Sequence, residues 1–328
     1  MSYYKLSIMA CLPLFFVPLS YAQQELKHVN GNDFIKVFEQ LSGKQPGIRK
    51  GHAKGVCATG TFTPTPGARH YSTSQLFTDI AQANVRFSMA GGNPNAVETD
   101  RSPRGIGVQF TFKNGAVHNL AGLTTPVFPG KDPATFLGLL KTLVPNEQGQ
   151  IDFSKVAEYR QQNPSTLGQF NWLQKNNPPA SYAAATYYGI HTFFFINEQG
   201  EKQKFKWQLV PEKGEKPLTD EQLQHFPDTF LAKQLVDDLT NGVMTFSLQA
   251  VLGKQRDAET DPSVMWPAER EVIELGKLTL NNSGGERCQL TNYDPNLLSD
   301  GIIASDDAIL KLRSTAYAIS YAKRYSGQ

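Results

Sequence analysis

The sequence predicts an α+β protein: an antiparallel β-barrel of about eight strands, with inserted helices and a final C-terminal helix. Between residues 51 and 250, short runs rich in aromatic and β-branched residues recur, bounded by Gly, Asn and Pro. Asn114-Gly115 separates two such runs, and Gln199-Gly200 separates two more, as in hairpins. A barrel of this size can hold a ligand in its interior or at its mouth.

Helices are predicted at both ends of the chain and between the strands. Phe34, Val37, Phe38 and Leu41 recur at helical spacing, which predicts a first amphipathic helix. Residues 135–143 form an inserted helix in this interpretation.

The second half of the chain is expected to contain three more helices and one long loop. Residues 219–252 are assigned two helices, of which the first opens with the capping box Thr219-x-x-Gln222. Residues 251–304 are Pro- and Asn-rich and are predicted to be loop. One helix then runs over residues 305–325, with Ser305 as its N-cap.

Composition excludes several classes of protein. The chain of 328 residues is 40% hydrophobic and 19% charged, which is enough apolar material for a sizeable core and argues against global disorder. A formal net charge of +2 gives no electrostatic reason to expect nucleic acid as a partner. Three cysteines are too few for a disulfide scaffold.

Residues 1–22 have the pattern of a secretory signal peptide. Lys5 precedes an apolar run over residues 6–19, and Ser20-Tyr21-Ala22 offers small residues at the two positions read by a signal peptidase. We expect cleavage after Ala22, a single barrel domain over residues 23–328, and an exported, periplasmic protein.

The alternative for this segment is a transmembrane anchor. Its apolar run is shorter than the ~20 residues that a span needs, and Pro13 and Pro18 interrupt it. We therefore expect no membrane span after cleavage. The mature chain keeps Cys57 and Cys288, which would form either a disulfide in an oxidising compartment or two free, buried thiols.

Few residues carry recognisable chemistry. No histidine pair has metal-ligand spacing, and no nucleophile elbow, P-loop or dinucleotide fingerprint is present. Two features are unusual: the basic segment from Arg49 to Gly55, and a stripe of Arg313, Tyr317 and Arg324 on one face of the last helix. That stripe favours an anionic partner, although a solvated basic face with a buried tyrosine is the simpler alternative.

Seven segments, in order, resemble the haem catalases, and specifically the short, exported catalase-related peroxidases. The resemblance spans residues 45–325, nearly all of the mature chain. The matching segments are Arg49-Lys-Gly-His52-Ala-Lys-Gly55, Val85-Arg86-Phe87-Ser88, Arg101-Ser-Pro-Arg104-Gly-Ile-Gly-Val-Gln-Phe110, Thr125-Pro-Val-Phe128, Gly189-Ile-His191-Thr-Phe193, Asp261-Pro-Ser-Val-Met-Trp266-Pro267 and Arg313-Ser-Thr-Ala-Tyr317.

The resemblance implies that the last helix ligates a ferric haem. Tyr317 would be the proximal ligand to the iron, as a phenolate. Because a free tyrosine has a pKa near ~10, the phenolate needs both the iron and a nearby cation, which Arg313 would supply. Arg49, Arg86 and Arg324 match the arginines that bind the haem propionates, which suits the bidentate fork of a guanidinium.

On the opposite side of the haem, the resemblance makes His52 the acid–base group. It would move the proton of a bound peroxide from one oxygen to the other and so split the O–O bond. Ser88 would orient His52. Phe128 and Phe136 fall where the family has aromatic distal walls, although either could equally belong to the core.

The sequence departs from the family pattern at three places. The distal asparagine that holds peroxide falls on Leu123, beside Thr124. Leucine cannot donate a hydrogen bond, so we expect weak or no catalase activity. The nucleotide-binding segment is shortened over residues 181–188, and Ala268 replaces a histidine, so no bound NADPH is expected. The long N-terminal arm and the C-terminal helical domain are missing, which implies a more open route to the haem and no required oligomer.

Together these features predict a haem peroxidase with ferric haem b, which reduces hydrogen peroxide or organic peroxides at the expense of an organic electron donor. One alternative is a fatty-acid hydroperoxide isomerase or dehydratase of the allene oxide synthase type. Another is a haem-binding protein without turnover. His52 discriminates against the last, since a storage protein has no need of a distal base.

Overall fold

The computed structural model describes residues 29–327. The predicted leader, residues 1–22, lies outside this range. Within it, no helix is long and apolar enough to cross a membrane.

The described chain alternates strands with short helices. The strands are β1 (Gly55–Pro64), β2 (Ala81–Met89), β3 (Arg104–Thr111), β4 (Val117–Leu123), β5 (Tyr187–Tyr188), β6 (Phe193–Ile196), β7 (Lys202–Pro211), β8 (Met244–Leu252), β9 (Val272–Ser283) and β10 (Ile302–Ala304). The α-helices are α1 (Gly31–Ser42), α2 (Pro133–Thr142), α3 (Phe153–Gln162), α4 (Leu167–Lys175), α5 (Asp220–His225), α6 (Leu231–Thr240), α7 (Arg287–Leu290) and α8 (Ala308–Tyr325). Single 3-10 turns lie at Ala68–His70, Gln75–Phe77, Pro164–Thr166 and Tyr182–Ala184.

Eight of these strands close into an antiparallel barrel. Their order around the ring is β1-β2-β3-β4-β5-β7-β8-β9, and β9 pairs back onto β1. Strands β6 and β10 extend the sheet from β7 outside the ring. The barrel interior is filled by fully buried apolar side chains such as Phe62, Phe87, Phe110 and Phe246. The predicted fold class is therefore confirmed.

Both predicted hairpins are present. Between β3 and β4, Gly115 adopts φ +83°, and its amide donates to the carbonyl of Phe112. Between β6 and β7, Gly200 adopts φ +77°, and its amide donates to the carbonyl of Asn197. Both turns need a residue in the left-handed region, where glycine has no steric penalty.

Two predictions about the second half of the chain are wrong. Residues 219–252 contain helices only as far as Thr240, and β8 follows. Residues 251–304, expected as loop, contain β9, the strand that joins β8 to β1 and closes the ring. In β9, Ile273 and Leu275 alternate with a charged residue before a register shift, and Leu278 and Leu280 alternate with polar residues after it. Each half has the period-2 pattern that indicates a strand. Neighbouring turn residues hid that pattern in the sequence.

The last helix begins later than predicted. Asp307, and not Ser305, is the N-cap of α8, and its side chain accepts from the amides of Ile309 and Leu310. Helix α1 lies against α8 so closely that a Cβ on Gly31 would come 2.9 Å from the backbone nitrogen of Ala316.

Helices α1, α2 and α8 share a small apolar cluster outside the barrel. Phe34, Val37, Leu137 and Leu140 are its buried members, and Leu312 of α8 packs against them. The side chains predicted for the apolar face of α1 are thus used to pack the helix against its neighbours. This cluster holds α8 in place beside the barrel.

Cys57 of β1 and Cys288 of α7 form a disulfide across 231 residues of sequence. The sequence left a disulfide and two free thiols as alternatives. Both sulfurs are buried, together with Tyr293, so the bond ties α7 to the barrel wall.

Removing this bond should destabilise the protein. The double substitution Cys57→Ser/Cys288→Ser is expected to lower the free energy of unfolding by about 2–5 kcal/mol, because a cross-link between distant positions restricts the unfolded chain. Urea unfolding measures this free energy, and wild type with its disulfide reduced is the control. An unchanged midpoint would show that the two thiols are free in the purified protein.

Candidate active site

One cavity brings all the predicted site residues together. It has about 230 Å³ of space and lies between strands β2–β4 and helices α1, α2 and α8. Its lining includes His52, Ser88, Arg49, Arg86, Arg313, Tyr317, Arg324, Phe128 and Phe136. The fold brings these residues together from distant parts of the chain. The role of each one remains a prediction.

His52 is held in a strained conformation at the entry to β1. It is the one non-glycine residue between 29 and 327 with a positive φ, +54°, a backbone state that costs on the order of 1–3 kcal/mol. Its Nδ1 lies 3.0 Å from the Ser88 hydroxyl. A Cβ on Gly105 would come 2.6 Å from that same Nδ1. Ser88 and Gly105 are register partners on β2 and β3, so two strands fix the imidazole and leave Nε2 as the nitrogen for a ligand.

The surroundings of His52 keep its imidazole neutral. Burial and, to a smaller extent, the positive charges of Arg86, Arg313 and Arg49 together lower its pKa to about 3. At any physiological pH the imidazole is therefore in its unprotonated form, which is the form that can accept a proton.

Arg86 supports the backbone at His52 and Ala53. Its Nη1 donates to the carbonyl of His52 at 2.8 Å, and its Nη2 donates to that of Ala53 at 3.0 Å. Its Nε donates to the side chain of Gln289 at 2.9 Å. Each of its nitrogens thus has a protein acceptor, and the guanidinium holds the strained His52 backbone in place.

The other two predicted anion-binding arginines retain unpaired donors. Arg324 has buried Nε and Nη2 atoms with no hydrogen-bond partner among the described residues, and Arg49 has a buried Nε of the same kind. The Nη2 of Arg49 donates to the carbonyls of Cys288, Gln289 and Thr291, at 2.6–3.1 Å. Burial and the neighbouring Arg86 lower the pKa of Arg49 to about 9. Because an unsatisfied buried donor is costly, these atoms fit a buried anionic ligand such as a carboxylate.

Tyr317 and Arg313 form a pair on one face of α8. The Nη2 of Arg313 donates to the Tyr317 hydroxyl oxygen at 2.7 Å, and its guanidinium carbon lies 5.3 Å from the ring centroid. The guanidinium thus places a positive charge directly at the phenol oxygen, where it would balance the charge of a metal-bound phenolate. A phenolate oxygen facing the cavity is a suitable ligand for ferric iron.

Behind this pair lies a buried contact that the sequence did not predict. Asp307, the N-cap of α8, has its Oδ2 2.6 Å from Nδ1 of His191. Burial lowers the pKa of His191, while the Asp307 carboxylate and hydrogen bond act in the opposite direction. The Gly189–Phe193 motif singled out His191 in the sequence. Its partner Asp307 lies 116 residues away, so no local pattern could identify the pair.

Leu123 lines the cavity and Thr124 does not. The Thr124 hydroxyl instead accepts from the Arg104 amide at 3.0 Å, and its own amide donates to the Arg104 carbonyl. Thr124 therefore does not replace the donor that is missing at Leu123. Phe128 and Phe136 also line the cavity, and their ring centroids lie 4.5 Å apart in an edge-to-face contact. Together with Leu123 they give the cavity an apolar lining.

Tyr293 is a lining residue that the sequence reasoning missed. Its ring lies against β3, where a Cβ on Gly107 would come 2.7 Å from its Cγ. Its hydroxyl is buried, and burial raises its pKa to about 12. The signal for it was weak, since it stands in an Asn- and Pro-rich segment without a motif.

The barrel and this cavity define a protein of the catalase fold. A fungal catalase superposes with a TM-score of 0.77 at 24% identity, covering 86% of this chain and 60% of its own. A bacterial catalase superposes with a TM-score of 0.77 at 22% identity, covering 98% of this chain and 67% of its own. These likenesses show the fold alone, and the chain spans about three fifths of the fungal enzyme.

The family model described as Catalase matches residues 32–328, so the chain belongs to the catalase family. A catalase-related peroxidase of Synechococcus elongatus is 40% identical over 304 residues, 91% of this chain and 90% of that protein. Another, from Mycolicibacterium paratuberculosis, is 31% identical over 88% of this chain and 93% of its own length. The predicted family is therefore confirmed. Catalase-family enzymes in general depend on haem.

Proposed function

We propose that this catalase-family protein is a haem peroxidase, which reduces hydrogen peroxide or organic peroxides at the expense of an organic electron donor. The observation that carries the proposal is a single cavity that joins a neutral histidine, an arginine-paired tyrosine and an apolar wall at Leu123. The two relatives named catalase-related peroxidase support it. Nothing in the comparisons supports a hydroperoxide isomerase or a haem store.

The residues present fit a ferric haem b. Tyr317 would ligate the iron with Arg313 as its cation, and the unpaired donors of Arg324 and Arg49 would bind the propionates. When bound, the haem supplies the redox chemistry of peroxide reduction.

The distal residues would handle the proton. His52 Nε2 accepts the proton from one oxygen of the peroxide and returns it to the oxygen that leaves as water or alcohol. Ser88 holds Nδ1 and so keeps the ring in the correct orientation. Leu123 offers no hydrogen bond to a second peroxide, but it contacts the alkyl part of an organic one.

The balance between two activities tests the proposal. Haem-loaded protein should oxidise a chromogenic donor readily with hydrogen peroxide or an alkyl hydroperoxide, while evolving little oxygen from hydrogen peroxide alone. An absorption spectrum recorded first would establish that haem is bound. Oxygen evolution at the rate of a full-length catalase would contradict the proposal.

Leu123→Asn should raise the ratio of oxygen evolution to donor oxidation. A neutral hydrogen bond contributes about 0.5–1.5 kcal/mol net, which is up to roughly tenfold in rate. Correct orientation of the second peroxide can add up to ~10²-fold.

The matched control is Leu123→Met, which keeps an apolar side chain of similar volume and should leave the ratio unchanged. An asparagine variant with the wild-type ratio would show that the Leu123 position does not set the balance.

We also propose that the protein is exported to the periplasm, without its first 22 residues. The leader pattern supports this, and so does the Cys57–Cys288 disulfide, since disulfides persist in oxidising compartments. N-terminal sequencing of the protein from the native host should begin at Gln23, and a chain that begins at Met1 would contradict export by cleavage.

Two finer points complete the proposal: the enzyme uses no bound NADPH, and its activity does not require an oligomer. The shortened segment before Tyr188 and Ala268 after the Trp266-Pro267 pair motivate the first. Mass spectrometry of the native protein would test both, since a bound dinucleotide or a stable dimer would each be visible.

A further inference from the structure

Two tyrosines of α8 connect the cavity with the protein surface. Tyr321 lines the cavity and is half-buried. Its ring centroid lies 5.2 Å from that of Tyr325, and Tyr325 is 66% exposed. Standing four residues apart, the two rings are neighbours on one helix face. The mechanism above uses neither of them.

Tyr321, the tyrosine nearer the cavity, is held in place by Arg324. The guanidinium carbon of Arg324 lies 5.0 Å from the Tyr321 ring centroid, a contact that holds an aromatic ring in place. The rings of Tyr321 and Tyr325 are inclined by 33° within contact distance. Phenols are among the few side chains that release one electron reversibly, and here two of them lie in series between the cavity and solvent.

We propose that Tyr325 is a surface oxidation site for bulky aromatic donors, such as phenols attached to a polymer or a protein, and that Tyr321 passes the electron inward. The proposal rests on the peroxidase function given above. It supplies an outer route for donors attached to a polymer or a protein, which are larger than the cavity itself.

The electrons and protons balance with peroxide as the oxidant. In each step Tyr325 loses one electron inward through Tyr321 and loses its hydroxyl proton to water, which leaves a neutral tyrosyl radical. A donor phenol then gives its hydrogen atom to the Tyr325 oxygen and becomes a phenoxyl radical. Two such steps supply the two electrons that, with two protons, reduce one hydroperoxide to an alcohol and water.

Radical trapping tests the path without relying on turnover. Haem-loaded protein is treated with hydrogen peroxide and a nitroso spin trap, and the adducts are mapped by peptide mass spectrometry. We expect a peroxide-dependent adduct on Tyr325, and its loss in Tyr321→Phe, where Tyr325 remains present and exposed. Tyr71→Phe is the matched control: Tyr71 packs on Phe195 and is not among the residues that line the cavity. It should keep the adduct.

A second measurement compares a small free phenol with the same phenol linked to polyethylene glycol. Wild type and Tyr71→Phe should oxidise both, while Tyr325→Phe should lose oxidation of the linked phenol relative to the free one. Equal Tyr325 labelling in Tyr321→Phe, or an unchanged ratio in Tyr325→Phe, would overturn the proposal. Oxidation of the free phenol without a Tyr325 adduct rejects this site alone, whereas failure to oxidise either phenol rejects the peroxidase function with it.

Discussion

His52→Ala should bind haem normally and react with peroxide ~10²–10⁴-fold more slowly, the usual contribution of a positioned acid–base group. The imidazole is neutral, fixed by Ser88 and carried on a loop whose carbonyls Arg86 holds. Histidine and alanine both carry a Cβ, so the substitution introduces no new kind of backbone strain at φ +54°, and the fold should survive. Stopped-flow spectroscopy of haem-loaded protein with hydrogen peroxide gives the rate.

The exposed His70 supplies the control, since His70→Ala should react at the wild-type rate. The pH profile is a second check. A free histidine would be protonated, and lose its function as a base, as pH falls through ~6.5. With its pKa lowered to about 3, His52 stays a base well below that pH, so the rate should hold down to about pH 4. A His52→Ala variant as fast as wild type would remove His52 from the mechanism.

Tyr317→Phe should lose most of its haem, whereas Tyr321→Phe should retain it. Phenylalanine removes the oxygen that would ligate the iron and leaves Arg313 without its 2.7 Å acceptor. Both tyrosines line the cavity from the same helix, but only Tyr317 accepts a hydrogen bond from Arg313. The haem-to-protein ratio after reconstitution and gel filtration measures the difference.

Arg313→Leu should produce a smaller loss of haem affinity than Tyr317→Phe. It keeps the phenol but removes the cation, and loss of a supporting partner of a metal ligand typically weakens binding ~10–100-fold. Haem affinity should therefore fall less than in Tyr317→Phe. A Tyr321→Phe protein that is free of haem beside a fully loaded Tyr317→Phe protein would show that the ligand assignment is one helical turn out of register.

The sequence by itself determined the barrel class and its hairpins, because these depend on local patterns. The predicted cavity residues came instead from the resemblance to the haem catalases. Glycine at a left-handed turn and Arg313 four residues before Tyr317 can be recognised in the residues themselves. The prediction was wrong for β8 and β9, which were expected as helix and loop. In the structure these two strands pair with each other and close the ring. Strand pairing between distant segments is a property of the closed sheet, since a strand acquires most of its stability from its neighbours.

Only the tertiary structure decided how the site residues are used. It gave Asp307 two roles, as the cap of α8 and as the partner of His191, and turned the Thr124 hydroxyl toward Arg104. It also resolved the open alternative at Cys57 and Cys288 in favour of a disulfide. Each outcome depends on distances between groups far apart in the chain, which packing sets and residue order does not record.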